Sequence, residues 1–423
     1  MYRTTLPNGI RVVAVPLPHL HTATMAVFVR VGSRHETART NGISHFLEHM
    51  LFRGTARHPN AYELSRAIEE LGGTLAAATH VDFTVFQSSI PPEHLGRALG
   101  LVSEIFTTPT LGDMKAEKGI IAEEILEEVD ERGRDIDVDN VARRQLFGRH
   151  PLGFKITGGV RNVRRFTEAD VRRHLARHYV GNNIVVCVAG AIDPRVAARV
   201  TARTLGKLPS GRPSRATRPR LAPRRRKVQC VESKGSQADV RVSFLAFGER
   251  DRRRPALQML SRVLDDGNST RLHRRICDER GLAYDVFGAL DLYADAGVLD
   301  VGASVDHGKA ARLVQEVLAL LGEVRDKGPT DDELAKAKRR WSWQLRTMLD
   351  SPEAMASFYG VNEMLELDES LENIARRVAR VTAAEVRDAA RAVVRGERLA
   401  VTCVGALPRK VERALGDLVR EFE

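Results

Sequence analysis

Apolar residues fall into two patterns along this chain. Short, nearly continuous runs such as "MAVFV" (25–29) and "IVVCVAGA" (184–191) read as buried strands, whereas apolar positions spaced three and four apart read as amphipathic helices. In the first half these patterns place helices near 61–71, 92–106, 114–131 and 167–178, with strands near 10–15, 23–31, 74–90 and 183–189. Residues 43–52 read as a further short helix, with Ser44 as a candidate N-cap and Gly54 ending it.

The pattern then repeats. "MAVFVRVGSR" (25–34) aligns with "RVSFLAFGER" (241–250) at a shift of 216 residues, so that Phe28 meets Phe244 and Gly32 meets Gly248. "FTEADVRRHLARHYVGNNIVVCVAGA" (166–191) aligns with "VTAAEVRDAARAVVRGERLAVTCVGA" (381–406) at a shift of 215. Each of the second pair reads as a Thr-capped helix, a turn and a buried strand ending in Gly-Ala. The expected architecture is α+β: two duplicated units, each a mainly antiparallel sheet covered on one face by helices. The expected boundaries are 1–208 for an N-terminal unit, 209–227 for a linker and 228–423 for a homologous C-terminal unit.

Composition changes this picture little, and charge changes it in one place. The 423 residues are 43% hydrophobic and 29% charged, with aromatics at 5%, as in a folded multidomain protein resting on aliphatic side chains. The net charge of +11 is concentrated in "PSGRPSRATRPRLAPRRRKV" (209–228), where Arg212, Arg215, Arg218, Arg220, Arg224, Arg225, Arg226 and Lys227 face no acidic residue. Without interleaved aromatics this Pro-rich stretch reads as a solvated linker, and no nucleic-acid partner is expected. No apolar run is long enough to span a membrane, and the N-terminus has no h-region. Cys187, Cys230, Cys277 and Cys403 are unpaired in sequence, which fits reduced thiols and a cytoplasmic location.

The chemistry concentrates in "NGISHFLEHM" (41–50). On a helix His45 and His49 stand one turn apart on a single face, where two imidazoles can bind one zinc ion with Glu48 beside it as base. The corresponding stretch of the second copy, "ALQMLSRVLDDG" (256–267), contains neither histidine nor glutamate, so the fold itself does not require them. A catalytic zinc needs a third protein ligand and an open position. The acidic helix "EKGIIAEEILEEVDE" (117–131) offers Glu124, flanked by Ile120, Ile121 and Ile125, with Glu123 as its neighbour and rival. Glu117, seven residues earlier, is placed to hydrogen-bond a ligand histidine. His80 reads as a surface histidine.

These segments resemble the inverted-motif zinc peptidases of the pitrilysin and mitochondrial processing peptidase type, in the short form that works as two subunits. "GISHFLEHMLFRGT" is similar to the signature segment, and "EKGIIAEEI" to the one supplying the distal glutamate. "LPNGIRVV", "AIEELGGTLAAAT", "PLGFKITG" and "ERGLAYDV" extend the likeness over nearly the whole chain. The resemblance implies one Zn2+ per chain on His45, His49 and Glu124, Glu48 as general base and Glu117 as support. It also implies unfolded peptide added as a strand along "TLAAATHVDFTVFQ" (74–87), at Ala76, Ala77 and Thr79, inside a dimeric clamshell.

Two positions depart from the family. Ala76 stands where Asn is frequent, and Cys277 stands where members that complete the site carry an Arg seven residues before Tyr284. Tyr284 is then the expected oxyanion donor, with Arg275 a displaced substitute or with a homologous partner subunit supplying the Arg/Tyr pair. A heterodimer and a homodimer both remain open. So do a processing peptidase with one defined cut and a non-catalytic scaffold like those of respiratory complexes.

Overall fold

The computed structural model describes residues 1–219 and 227–422. Six strands form the first sheet: β1 (Tyr2–Thr5), β2 (Arg11–Pro16), β3 (Ala23–Val29), β4 (Ala76–Thr79), β5 (Thr84–Ile90) and β6 (Ile184–Gly190). Five form the second: β7 (Lys227–Val231), β8 (Ala238–Ala246), β9 (Phe287–Leu292), β10 (Gly297–Val305) and β11 (Leu399–Val404). The orders are β1-β2-β6-β3-β5-β4 and β7-β11-β8-β10-β9, so without β1 the two sheets have one topology. Only β2–β6 and β7–β11 pair in parallel, which makes both sheets mainly antiparallel, as expected. The stretch 74–90 is not one strand but a hairpin, closed where the His80 N–H donates to the Phe83 carbonyl at 2.8 Å.

Helices relevant to the site are α1 (Ile43–Leu51), α2 (Ala61–Glu69), α3 (Leu95–Thr107), α4 (Met114–Glu127) and α5 (Val138–Phe147). The duplicated helices Glu168–His178 and Ala383–Val393 start on Thr167 and Thr382, each closing a capping box, with Asp170 and Glu385 respectively.

The compact units differ from the chain halves. The first comprises Met1–Ile125, Phe154–Thr217 and Gln344–Ser370; the second comprises Leu126–Gly153, Arg218–Trp343 and Leu371–Glu423. Each half of the chain therefore lends a helical segment to the other half's sheet, which corrects the division into 1–208 and 228–423. In the first unit, helix Pro352–Met364 lies against β2, β3 and β6. It approaches closely because residue 360 is Gly: a Cβ there would sit 2.1 Å from the Phe28 ring. Phe28 points to that side, while Met25, Val27 and Val29 join the core built with α1 and α3. Both faces of the sheet are covered, and for that reason every residue of β3 and β6 is buried and their sequences run apolar without alternation.

In the second unit α5 plays the equivalent part with polar contacts. Arg143 donates to Asp300 at 2.7 Å, Thr402 to Gln145 at 2.6 Å, and Arg241 to Asp139 at 2.6 Å.

The first part of the linker is mostly exposed, as expected, but it is held at several points. Ser214 bonds His178 at 2.7 Å and Asn183 at 2.9 Å, and the Thr217 carbonyl accepts from Arg34 at 3.2 Å. Arg220 and Arg224 to Arg226, half of the linker's eight basic residues, lie outside the described residues.

Candidate active site

Helix α1 is anchored from one side by its apolar residues. Ile43, Phe46, Leu47, Met50 and Leu51 are each at most 2% exposed, and burying side chains of this size contributes about 1.5–3 kcal/mol apiece. Ser44 is not its cap. The N-cap is Gly42, in a left-handed conformation with φ 97, and it has no side chain with which to accept from the helix.

Glu36 supplies the missing acceptor. One carboxylate oxygen takes the Ser44 N–H at 2.8 Å; the other takes the Gly42 N–H at 2.8 Å and the Asn41 amide at 2.9 Å. An anion at a helix N-terminus is favoured by the helix dipole. Burial nonetheless lifts the Glu36 pKa to about 7, against the pull of those hydrogen bonds. This residue was missed in the sequence; the available signal was an Asn-Gly pair where a capping side chain was needed.

Fixed in this way, α1 brings His45 Nε2 and His49 Nε2 to 3.2 Å from each other. From α4, Glu124 places its carboxylate oxygens 3.5 Å from His45 Nε2 and 3.9 Å from His49 Nε2. Zinc–ligand bonds of about 2.0–2.1 Å in a tetrahedron set its ligand atoms about 3.4 Å apart, so the group has the spacing of a metal site. Two imidazoles and one carboxylate also form a donor set suited to zinc, with a fourth position left over. His45, His49 and Glu124 are the group among the described residues whose donor atoms converge for a metal ion.

Glu124 turns toward the two histidines, whereas Glu123 is exposed on the outer side of α4. The reason given from sequence needs amending. Ile121 and Ile125 face the core, but Ile120 is 50% exposed.

Glu117 sits one helical face behind the group, at 3% exposure. His49 Nδ1 donates to one of its oxygens at 2.8 Å, and Arg53 pairs with the other. Because a carboxylate only accepts, this bond puts the proton on Nδ1 and leaves the Nε2 lone pair aimed at Glu124 and His45. Burial opposes the charge on Glu117, but His49 and Arg53 together hold its pKa below the ordinary value. Arg53, directly after α1, was not anticipated. For His49 burial lowers the pKa, yet Glu117 together with Glu124 and Glu48 outweighs it and the net shift is upward. His45 lacks such a partner, and burial with the neighbouring His49 pushes it down to about 4.

Glu48 points toward the sheet edge. The Thr79 hydroxyl on β4 donates to its carboxylate at 2.6 Å, while burial raises its pKa. Ala76, Ala77 and Thr79 lie on β4, which is the outermost strand and has a free edge in the described sheet. Thr79 is buried and Ala76 exposed, so Thr79 faces the site helix. His80 is exposed, as expected, with its ring 4.8 Å from Phe83.

Tyr284 is not brought to this group within the first unit. It lies on a loop of the second unit, fully exposed. Arg275 pairs with Glu323 at 2.8 and 3.2 Å, and Cys277 sits in the π-helical turn Arg274–Glu279.

No helix among the described residues is long and apolar enough to cross a membrane. The profile of the insulinase (peptidase family M16) domain matches residues 11–157, and that of the peptidase M16 inactive domain matches residues 165–340. An uncharacterised zinc protease of Streptomyces coelicolor is 32% identical over 99% of this chain and 92% of its own length. The mitochondrial-processing peptidase subunit beta of Blastocladiella emersonii is 32% identical over 49% of this chain and 44% of its own. A protease of Helicobacter pylori shares the fold with a TM-score of 0.87 at 21% identity, covering 96% of this chain and 99% of that one. With two family domains in tandem and a relative matched from end to end, the chain belongs to the pitrilysin-type zinc metallopeptidases of family M16.

Proposed function

We propose that this protein is a zinc-dependent endopeptidase that hydrolyses unfolded peptides. The observation that carries the proposal is the convergence of His45, His49 and Glu124, with Glu48 held beside them by Thr79 on a free sheet edge. Zinc held by those three side chains would supply Lewis acidity, bringing the pKa of a water toward about 7 and polarising the scissile carbonyl.

The chain's own groups do the rest. Peptide pairs with β4 along Ala76, Ala77 and Thr79, so its backbone is fixed by main-chain bonds and its sequence is read loosely. Glu48 takes the proton from the attacking water and returns it to the departing amine. Thr79 keeps the Glu48 carboxylate turned toward the peptide strand. Glu117 orients His49 and keeps it the right tautomer.

The Arg/Tyr contribution is the incomplete part of this chain. Cys277 replaces the family Arg, and Arg275 is engaged by Glu323. We therefore assign that contribution to a homologous partner subunit, with Tyr284 as the residue this chain could itself offer in a homodimer.

The test is cleavage of a quenched, unstructured peptide by zinc-loaded protein, alone and after Glu48→Gln. Wild-type cleavage into several products, lost in the variant with zinc retained, supports a general endopeptidase. One defined product indicates a processing role. Zinc bound with no cleavage until a homologous subunit is added supports the heterodimer. No zinc and no cleavage in well-folded protein contradicts the enzyme reading and favours a scaffold.

A further inference from the structure

Two of the four cysteines meet inside the second unit. β7 and β11 run parallel, and Cys230 is the register partner of Cys403. Register partners on neighbouring strands point to the same face of the sheet, with strands about 4.8 Å apart. That separation lies within the span of about 4.4–6.8 Å that a disulfide bridges between Cα atoms. The two side chains are in hydrogen-bond contact. Cys403 is fully buried, while Cys230 is half-buried on β7, the outermost strand of the sheet. Of the other two, Cys187 is buried in the first sheet and Cys277 lies on the turn Arg274–Glu279.

We propose that Cys230 and Cys403 form a reversible dithiol/disulfide site that hydrogen peroxide oxidises. The roles of the two sulfurs follow from their surroundings. The hydrogen bond from Cys403 lowers the Cys230 pKa against the effect of burial, and the same bond together with burial raises that of Cys403. Cys230 is therefore the attacking thiolate, being both the more acidic and the more accessible. It attacks one peroxide oxygen; the O–O bond breaks, water leaves after taking a proton, and Cys230 becomes a sulfenic acid. The Cys403 sulfur then displaces hydroxide from Cys230, its proton leaving with that hydroxide as a second water. Two thiols and one peroxide give one disulfide and two waters. Both sulfurs together lose two electrons, and the peroxide oxygens gain them.

The place of the bond gives it a consequence. Among the described residues β7 pairs with a neighbour on one side only, and it is the first strand after residues 220–226. A short edge strand of five residues is among the first elements to open locally. The disulfide ties it to β11, so oxidation suppresses local opening of this strand and reduction restores it.

The experiment treats the full, folded chain with stoichiometric hydrogen peroxide, then unfolds it in denaturant while blocking free thiols with N-ethylmaleimide, and records the intact mass and a peptide map. The expected product has lost about 2 Da, two fewer maleimides than the reduced chain, and a crosslinked peptide joining Cys230 to Cys403. A thiol reductant restores all four reactive thiols. Cys230→Ser and Cys403→Ser, tried separately so that one misfolded variant does not decide the matter, each abolish the 2 Da loss. Amide exchange of residues 228–231 should slow at least tenfold in the oxidised form. A gain of two or three oxygens on Cys230 with Cys403 still alkylated, or oxidation confined to Cys277, overturns the proposal.

Discussion

The two units pair the same carboxylate with an arginine and use it differently. Glu117 on α4 and Glu333 on helix Asp331–Thr347 stand 216 residues apart, the same offset that relates Phe28 to Phe244. In the second unit Arg271 takes both oxygens of Glu333, each at 2.6 Å. In the first unit Arg53 takes one oxygen of Glu117 and His49 the other. The preceding helices differ to match: α1 carries His45, Glu48 and His49, and Arg254–Leu264 carries none. An arginine–carboxylate pair is thus present in both units, and in the first a histidine shares the carboxylate. The fold supplies the position, and the residues on it supply the chemistry.

The largest effect expected from this comparison is at Glu48. Glu48→Gln should lower kcat about 10²–10⁴-fold with zinc content unchanged, since only proton transfer is removed. Loss of zinc in that variant would mean that Glu48 serves the metal rather than the water.

Next comes the paired test of the two carboxylates. Glu117→Gln should weaken zinc binding about 10–100-fold, measured by competition with a chromophoric chelator. Glu333→Gln should leave zinc affinity unchanged and affect only stability. Equal effects on zinc would break the comparison.

Acid should also distinguish the units. Behind α1 lie His35, His174 and His178, where burial and neighbouring cations push the pKa of His35 to about 3, of His178 to about 4 and of His174 well down. At the 215 offset the second unit has Ala389 and Val393 in place of His174 and His178. Each histidine is neutral in the fold and ordinarily titrates near 6.5 when unfolded, so the unfolded chain takes up protons first as pH falls. The stability tied to these residues is complete above about pH 6.5 and declines below it, toward their folded values. Between pH 7 and 5 the loss should be on the order of 2 kcal/mol for each of the three, and amide exchange should rise in the first unit before the second. Uniform acceleration across both would remove these histidines as the cause.

The smallest effect is at Thr79. Thr79→Val removes the donor to Glu48, a bond to a charged group worth about 1.5 kcal/mol, and kcat should fall about tenfold with zinc affinity intact. A change confined to KM would place Thr79 in peptide binding alone.

What the sequence made legible was local or repeated. The apolar runs at β3 and β6 and the capping boxes at Thr167 and Thr382 need only neighbouring residues to be seen. His45 and His49 declared themselves through a four-residue spacing, and the empty second copy argued for their purpose. Long-range features were hidden. Helix Pro352–Met364 and α5 cover sheets in the opposite half of the sequence, and nothing local says which sheet a helix will cover. Glu36 caps α1 from outside the helix, and Arg53 meets Glu117 across 64 residues. The exposure of Ile120 was misjudged because α4 has an apolar residue on its outer side, where sequence offers no partner to reveal it.

The central claim is that the metal chemistry belongs to one unit, on one named set of side chains. Anomalous scattering at the zinc edge from crystals of zinc-loaded protein tests it most directly. The account predicts a single strong peak per chain, about 2.0–2.2 Å from His45 Nε2, His49 Nε2 and a Glu124 oxygen. A peak in the second unit, or none beside His45 and His49, would contradict it.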